Sequence, residues 1–333
     1  MIDLRRFKTL DIALWSAAVA VVVLATFLGW SVWSHNRAVV AATPTSRAIA
    51  AIETSIRKNP GNLGLRMQLA QALVVAGREN EAIAQYTAIL KASKDYTPAL
   101  SGLGFIASQK KDWKTAQGYF QKVVSLLGNT QNASRDSALE TAYFYLGTAL
   151  MERHQYEDAI ANFKAALRIR RDASDTHYAL AYCYKQLDSM KKYREELEIT
   201  LAFDPKMPEA NYDLAMLILK EDVGRAAELL RTSVDAAPNV DKPQLALDEL
   251  GPFSKRFQTA KDLSAKSARK ALAEARVAVA LEPKNVDALR LLAALWEKNK
   301  SPEDALGVYG RILQIAPQDA AAMKATERLS NAQ

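Results

Sequence analysis

Residues 140–173 read ETAYFYLGTALMERHQYEDAIANFKAALRIRRDA, and residues 174–207 continue SDTHYALAYCYKQLDSMKKYREELEITLAFDPKM. Both segments pair a large residue with a small one at the same place, Leu146-Gly147 in the first and Leu180-Ala181 in the second. Ala159 in the first segment has its counterpart at Tyr193 in the second. Self-similarity at a fixed period indicates one structural unit repeated along the chain.

The same period extends over most of the sequence. One residue marks each unit, a small one everywhere except at Tyr193, and these marker positions are Ala48, Ala82, Ala116, Ala159, Tyr193, Ala227, Ala271 and Ala305. Their spacings are 34, 34, 43, 34, 34, 44 and 34 residues. The two longer intervals predict insertions, which we place at about residues 128–137 and 238–251 because both stretches are rich in turn-forming residues.

Three further features keep the same register. The large-small pair recurs as Leu69-Ala70, Leu103-Gly104, Leu214-Ala215 and Leu292-Ala293. An aromatic residue follows the marker by one helical turn at Tyr86, Phe120, Phe163 and Tyr309, on the same helical face. A proline, which stops a helix, follows at Pro60, Pro205, Pro283 and Pro317. The unit resembles the tetratricopeptide repeat, whose antiparallel helix pairs stack into a right-handed superhelix.

The resemblance implies an all-α solenoid. Sparse Gly and Pro, 13 and 11 of 333 residues, and the lack of alternating strand patterns also favour helix. We predict a repeat array over 47–319, followed by a capping helix at 320–333. Its units are a half repeat at 47–60, repeats near 63–96, 97–130, 140–173, 174–207 and 208–240, a degenerate unit at 252–285, and a repeat at 286–319.

Some units depart from the pattern. Leu197, Arg231 and Ala275 replace the aromatic residue. The unit at 252–285 departs most, because Gln258-Thr259 stand where a large-small pair is expected. No Gly or Pro interrupts residues 254–282, so its first helix is expected to be irregular or to merge with the second.

Residues 12–33 carry no charge and predict a transmembrane helix, after an N-terminal segment at 1–11 and before a linker at 34–46. Trp15, Trp30 and Trp33 lie near its ends, as interfacial aromatic residues do. Arg5, Arg6 and Lys8 precede it, so the positive-inside rule puts 1–11 in the cytoplasm and the array outside.

Two alternatives for this segment stay open. A cleaved signal peptide is the first, since Ala41 and Ala42 follow the apolar run, although its 22 residues exceed the usual length. A type IV pilin-like start is the second, but Arg6 stands where that family's peptidase needs a small residue.

In the tetratricopeptide family the first helices line a concave groove that holds partner peptides. By register, the groove residues predicted here are Met67, Gln71, Phe105, Phe144, Thr148, Met151, Tyr178, Tyr182, Tyr212 and Met216. This strip of aromatic and methionine side chains suits an apolar helix or an extended peptide. The alternative is that many of these residues only fill space between helices. The family's lysine- and arginine-based clamp for a chaperone's acidic tail is not expected, because the equivalent positions are mainly apolar.

Other classes of function find little support in the sequence. The net charge of +7 is modest and mixed, so a nucleic-acid partner is not expected. The basic cluster Arg168, Arg170, Arg171, Lys185, Lys191, Lys192 and Arg194 is interleaved with acids and predicts a solvated surface rather than a site for an acidic partner or lipid. A single Cys183 and three scattered histidines predict no metal, cofactor, small-molecule substrate or catalytic site.

The sequence therefore predicts a non-enzymatic, membrane-anchored scaffold that binds proteins or peptides at the outer face of a bacterial-type cytoplasmic membrane. An adaptor that faces the cytoplasm, with reversed topology, and a secreted protein released by signal cleavage are the alternatives. The sequence does not identify the partner.

Overall fold

A computed structural model describes Thr26, Leu28 and residues 43–331. The described residues of 43–331 form α-helices joined by short turns, and no strand occurs among them. The chain divides into two compact units, residues 1–129 and 130–333. The first unit contains α1 (Pro44–Lys58), α2 (Leu63–Val75), α3 (Glu79–Ala92), α4 (Thr97–Gln109) and α5 (Trp113–Leu127).

The second unit opens with a 3₁₀ turn at Ala133–Arg135. Its helices are α6 (Ser137–Glu152), α7 (Tyr156–Ile169), α8 (Ser174–Gln186), α9 (Met190–Phe203), α10 (Pro208–Ile218), α11 (Val223–Ala236), α12 (Asp241–Asp248), α13 (Phe253–Ser264), α14 (Ala268–Leu281), α15 (Val286–Lys298), α16 (Pro302–Ile315) and α17 (Ala320–Ser330). Consecutive helices contact one another in pairs, as in α6 with α7 and α8 with α9.

The large-small pairs form the contact within each helix pair. Leu146 and Gly147 of α6 are buried against α7, where Ala159 and Phe163 are fully buried. A Cβ atom on Gly147 would lie 2.7 Å from the Phe163 ring, so the close approach of the two helices requires a residue without a side chain. Here the small residue leaves room for the aromatic ring of the second helix.

A residue with left-handed backbone ends the first helix in five of the repeats. These residues are Gly77, Lys111, His154, Asp188 and Lys300, with φ between 52° and 71°. Their positions keep the spacing of the repeat units, and all five are exposed. The predicted proline stops also hold, since Pro60, Pro205, Pro283 and Pro317 each stand two residues after the end of a helix.

Three predictions about local structure need correction. Ala48 does not mark a buried contact, because it is exposed and α1 buries Ile49 instead. The insertion at 238–251 is not only a loop, because it forms α12. The helices of 252–285 do not merge: Ser267 ends the break between α13 and α14, and its hydroxyl accepts from the backbone N–H of Lys270. A serine cap therefore does here what Gly or Pro does elsewhere.

The insertion changes how the helices of the second unit pack. α11 contacts α14 as well as α12. Gly224 of α11 allows the close approach, because a Cβ there would lie 3.2 Å from the backbone of Ala273. Arg231 donates to the carbonyls of Ala280 (2.6 Å) and Leu281 (3.3 Å) at the end of α14. This cap explains why an arginine replaces the aromatic residue in that unit.

The predicted transmembrane helix at 12–33, the segment at 1–11 and most of the linker lie outside the described residues. Within the described part of the chain, no helix has both the length and the apolar character needed to span a bilayer.

Candidate functional site

The predicted groove residues of the second unit lie on its first helices. α6 carries Phe144, Thr148 and Met151, α8 carries Tyr178 and Tyr182, and α10 carries Tyr212 and Met216. Tyr178 and Tyr182 are one helical turn apart and share a face, and so do Tyr212 and Met216. Tyr182 is 40% exposed and Met216 is 42% exposed. Two large apolar side chains on neighbouring repeats thus remain open to solvent.

A cavity of about 260 Å³ adjoins this exposed pair, and we call it the tyrosine cavity. Tyr178 and Tyr212 line it, and α12 with the preceding turn supplies one wall. Its full lining is Tyr178, Pro208, Glu209, Tyr212, Asp213, Ser233, Ala237, Val240, Lys242 and Pro243. The second insertion therefore contributes to the candidate site, through residues that the sequence did not single out.

Asp213 organises one side of the tyrosine cavity. The Tyr178 hydroxyl donates to its Oδ2 at 3.2 Å, and the Lys185 ammonium lies 3.4 Å from its Oδ1. Burial, together with the Asp213 carboxylate, raises the pKa of Tyr178 well above its ordinary value, and Glu209 contributes in the same direction. The same two causes raise the pKa of Tyr193. Both phenols are neutral at physiological pH, so Tyr178 acts as a donor with a fixed direction.

A second cavity, of about 200 Å³, lies between α6 and α8. The Arg170 guanidinium donates to Glu140 Oε1 there, at 2.9 Å from Nη2, and Phe144 forms part of the wall. Thr176 also lines this cavity, and its hydroxyl is fully buried with no hydrogen-bond partner among the described residues. An unpaired buried hydroxyl is costly, so this cavity is a place where a polar ligand group or a water would lower the free energy.

The two cavities occupy equivalent places in the repeat register. Thr141, Phe144 and Tyr145 line the second cavity, and Glu209, Tyr212 and Asp213, each 68 residues later, line the tyrosine cavity. Pro243 of α12 stands at the same distance from Asp175. The 34-residue register, applied to neighbours of the predicted residues, would have identified Glu209 and Asp213. No sequence signal indicated that α12 would occupy the next position.

Other predicted residues pack rather than open to solvent. Phe144 is half-buried, with its ring 6.0 Å from Phe163, and the Thr148 hydroxyl donates to the Phe144 carbonyl. Met151 is half-buried. In the first unit Met67 and Phe105 are half-buried, and Gln71 is exposed. Met67 packs against that unit's core, as the space-filling interpretation expects.

The basic cluster is largely neutralised by acids. Arg170 pairs with Glu140, and Lys185 pairs with Asp213. Arg194 pairs with Glu198 and with Glu221, the latter at 2.6 Å. Such pairs agree with a solvated surface.

Two kinds of chemical site were also sought in the structure. Among the described residues, no three side chains of His, Cys, Asp or Glu come together as metal ligands would. Burial raises the pKa of the Cys183 thiol to about 12, so this buried cysteine is not a reactive thiolate.

Family models match three stretches of the chain. Residues 42–137 and 264–320 each match a model described as tetratricopeptide repeat, and residues 147–188 match one described as TPR repeat. A curated relative is neutrophil cytosol factor 2 of Bos taurus, 25% identical over 151 residues. That match covers 34% of this chain and 29% of the relative, so the chain spans less than a third of that relative's length.

Solved structures with a similar fold are also tetratricopeptide proteins or their relatives. YrrB, described as a TPR protein with an unusual peptide-binding site, has 19% identity and a TM-score of 0.48, and the match covers 59% of this chain and 97% of YrrB. MamA from Desulfovibrio magneticus RS-1 has 20% identity and a TM-score of 0.47, with 54% and 98% covered. The P58(IPK) TPR domain has 15% identity and a TM-score of 0.32, with 89% and 86% covered.

The chain thus contains tetratricopeptide repeats, as the 34-residue period predicted. It is a protein of the kind that mediates protein–protein interactions.

Proposed function

We propose that this protein is a membrane-anchored scaffold that binds an extended segment of a partner protein along α6, α8 and α10. The observation that carries the proposal is the exposed pair Tyr182 and Met216 beside the tyrosine cavity. Aromatic rings and thioethers supply large, adaptable contact area, and such residues dominate the binding energy of protein interfaces. A cavity next to an open apolar surface adds a place for one anchoring side chain.

The two equivalent cavities support an extended ligand. They occur at the same register position two repeats apart, so a chain that runs across the first helices meets a cavity at each end of α8 to α10 in sequence order. The second cavity offers the buried Thr176 hydroxyl and the Glu140–Arg170 pair, which suit polar groups of a peptide. No catalytic step is part of this function.

The membrane part of the proposal rests on the sequence of residues 12–33. Their 22 uncharged residues suffice to cross the hydrocarbon core, and the basic residues before them favour an N-terminus inside the cell. We infer that the array lies on the outer face of a bacterial-type cytoplasmic membrane and contributes to the assembly of envelope complexes.

Site-specific photocrosslinking in native membranes tests the groove. A benzophenone amino acid is placed at Tyr182 in one variant and at Ile199 in the control, because Ile199 is 37% exposed and lies on the second helix α9. We expect Tyr182 to capture a protein that Ile199 does not capture and that Met216→Ala reduces. Equal capture from both positions would overturn the groove assignment.

Topology is tested separately with alkaline phosphatase fused after residue 333, since this enzyme is active only outside the cytoplasm. Activity in the membrane fraction that resists carbonate extraction is expected. Inactive fusion in membranes would show the reversed topology, and activity in the soluble fraction would show signal cleavage.

A further inference from the structure

The size of the tyrosine cavity limits what it can hold. Pockets for free ligands of drug size usually enclose about 300–1,000 Å³. At about 260 Å³ the tyrosine cavity is smaller and stands beside an open surface. It therefore suits one long side chain of a bound polypeptide better than an independent small molecule.

The walls of the cavity have two characters. Tyr178 and Tyr212 present aromatic surface, and Pro208, Val240 and Pro243 present aliphatic surface. A long flexible side chain with an apolar stem gains by packing on such walls. An aromatic ring also attracts a cation placed over its face, by about 0.5–1 kcal/mol at an exposed site.

The charges of the lining favour a cation. Glu209 and Asp213 are one helical turn apart on α10 and both line the cavity. Asp213 already has the Tyr178 hydroxyl and Lys185 as partners. Glu209 is exposed and has no ion pair within 4.0 Å among the described residues. Like charges at this spacing repel, and a cation between them removes that cost.

Lys242 is the one basic residue in the lining, and it is exposed. An acidic side chain entering the cavity would meet this single ammonium and two carboxylates. A guanidinium would meet the two carboxylates, stack on a tyrosine ring, and bury its stem against the prolines.

We propose that the tyrosine cavity receives an arginine side chain of the partner's extended segment, with Glu209 as its carboxylate partner. This assignment rests on the proposed function and specifies the partner's chemistry. The partner segment then carries an arginine flanked by apolar residues that pack on Tyr182 and Met216.

The probe is a phage-displayed library of random dodecapeptides, selected on the full-length protein in detergent. Phage that bind the Tyr182→Ala/Met216→Ala double variant are removed first, so the surviving peptides depend on the groove. Affinities of synthetic versions are then measured by fluorescence anisotropy. Each is compared with a version that has glutamine in place of its arginine.

We expect arginine to be enriched in the groove-dependent peptides, and glutamine in its place to weaken binding three- to tenfold. Glu209→Gln should weaken the arginine peptide to the same extent and leave the glutamine peptide unchanged. Lys242→Gln should strengthen the arginine peptide, because it removes a repulsive charge. Glu195→Gln, which removes an exposed acid on α9 outside the cavity, serves as the control for net charge and should have no effect.

Groove-dependent peptides without arginine enrichment, or equal affinity for wild type and Glu209→Gln, would overturn the arginine assignment and leave the proposed function standing. Failure to select any groove-dependent peptide would overturn both.

Discussion

His177 shows how one buried polar side chain joins parts of a repeat. Its Nδ1 lies 2.7 Å from Glu196 Oε2 on α9, and its Nε2 lies 3.0 Å from the carbonyl of Arg171. Both ring nitrogens thus face acceptors, which suits the doubly protonated imidazolium. The Phe203 ring stacks on the imidazole at 5.7 Å between centroids. Burial opposes the charge, but the Glu196 and Arg171 hydrogen bonds prevail and raise the pKa of His177.

This pKa shift makes the stability depend on pH. A group whose pKa is raised on folding stabilises the fold fully below its unfolded value, near 6.5, and loses that contribution as pH rises through the folded value. We expect His177→Gln to lower the free energy of unfolding by about 1 to 2 kcal/mol more at pH 6 than at pH 9. Urea unfolding followed by circular dichroism measures it.

Glu196→Gln is the matched partner variant, since it removes the carboxylate and keeps the shape. It should flatten the pH dependence as His177→Gln does, and the double variant should add little. Identical pH profiles for wild type and His177→Gln would contradict the assignment.

Gly147 and Gly307 give opposite predictions for the same substitution. Gly147→Ala places a Cβ 2.7 Å from Phe163 in a close helix contact, so we expect a loss of about 1–3 kcal/mol in the free energy of unfolding. Gly307 lies inside α16 with open space around it, so Gly307→Ala should gain about 0.5–1 kcal/mol through helix propensity. Thermal unfolding compares the two, and a gain for Gly147→Ala would refute the packing argument.

At the scale of elements, Arg276 joins α14 to α11. Its Nε and Nη2 donate to the two Glu228 oxygens at 2.8 and 2.7 Å, and its Nη1 donates to Asp222 at 3.3 Å. The guanidinium also lies 5.8 Å from the Trp296 ring centroid. Only 14% of the Arg276 side chain is exposed, so water screens these contacts weakly.

Arg276→Met should lower the free energy of unfolding by about 2 kcal/mol, because it leaves Asp222 and Glu228 without their shared cation. Arg225→Met is the control: its guanidinium lies 3.5 Å from Glu198 with both side chains 41% exposed, and its removal should cost below about 0.5 kcal/mol. Chemical unfolding of both variants provides the comparison. Equal losses would mean that the α11–α14 contact does not depend on Arg276.

The helix pairs were predictable because their pattern is local. Leu180-Ala181 and the proline at 205 lie within one repeat, so periodicity and helix stops locate α8 and α9. The packing of α11 against α14 was not predictable in this way. Gly224 and Arg276 are far apart in sequence and follow no repeat register, so only the folded chain shows that they meet.

The candidate site divides in the same way. Tyr178, Tyr182, Tyr212 and Met216 follow from register, because residues one turn apart share a face. Glu209 and Lys242 are ordinary charged surface residues in the sequence and become part of a cavity only after α12 folds beside α10 and α11. How far Phe144 and Met67 are buried depends on neighbouring rings, which periodicity does not specify.

At the scale of the whole molecule, each repeat depends on its neighbours for burial. α17 closes the array on α16 through Ala322, Ala325 and Leu329, which are buried in the same core as Ile312. Stability in such an array is a sum of local and neighbour terms, so damage at one end remains near that end.

Leu329→Ala should therefore destabilise the end of the array by about 2–3 kcal/mol. Hydrogen exchange of the α16 and α17 amides should accelerate about 30- to 150-fold, because each 1.4 kcal/mol is a factor of ten, while α6 and α7 keep their wild-type rates. Met323→Ala alters a 53% exposed side chain on the same helix and should change exchange less than about threefold. Faster exchange throughout the second unit would indicate a single cooperative block instead.

The left-handed turn residues have a practical use as a measuring scale. Lys111, His154, Asp188 and Lys300 are exposed, stand at the same structural position in different repeats, and point away from the helix pairs' buried contacts. Spin labels introduced at two such positions would be offset by a known number of repeats. The distance between them would then report stretching, bending or ligand-induced tightening of the array, with every repeat serving as one graduation.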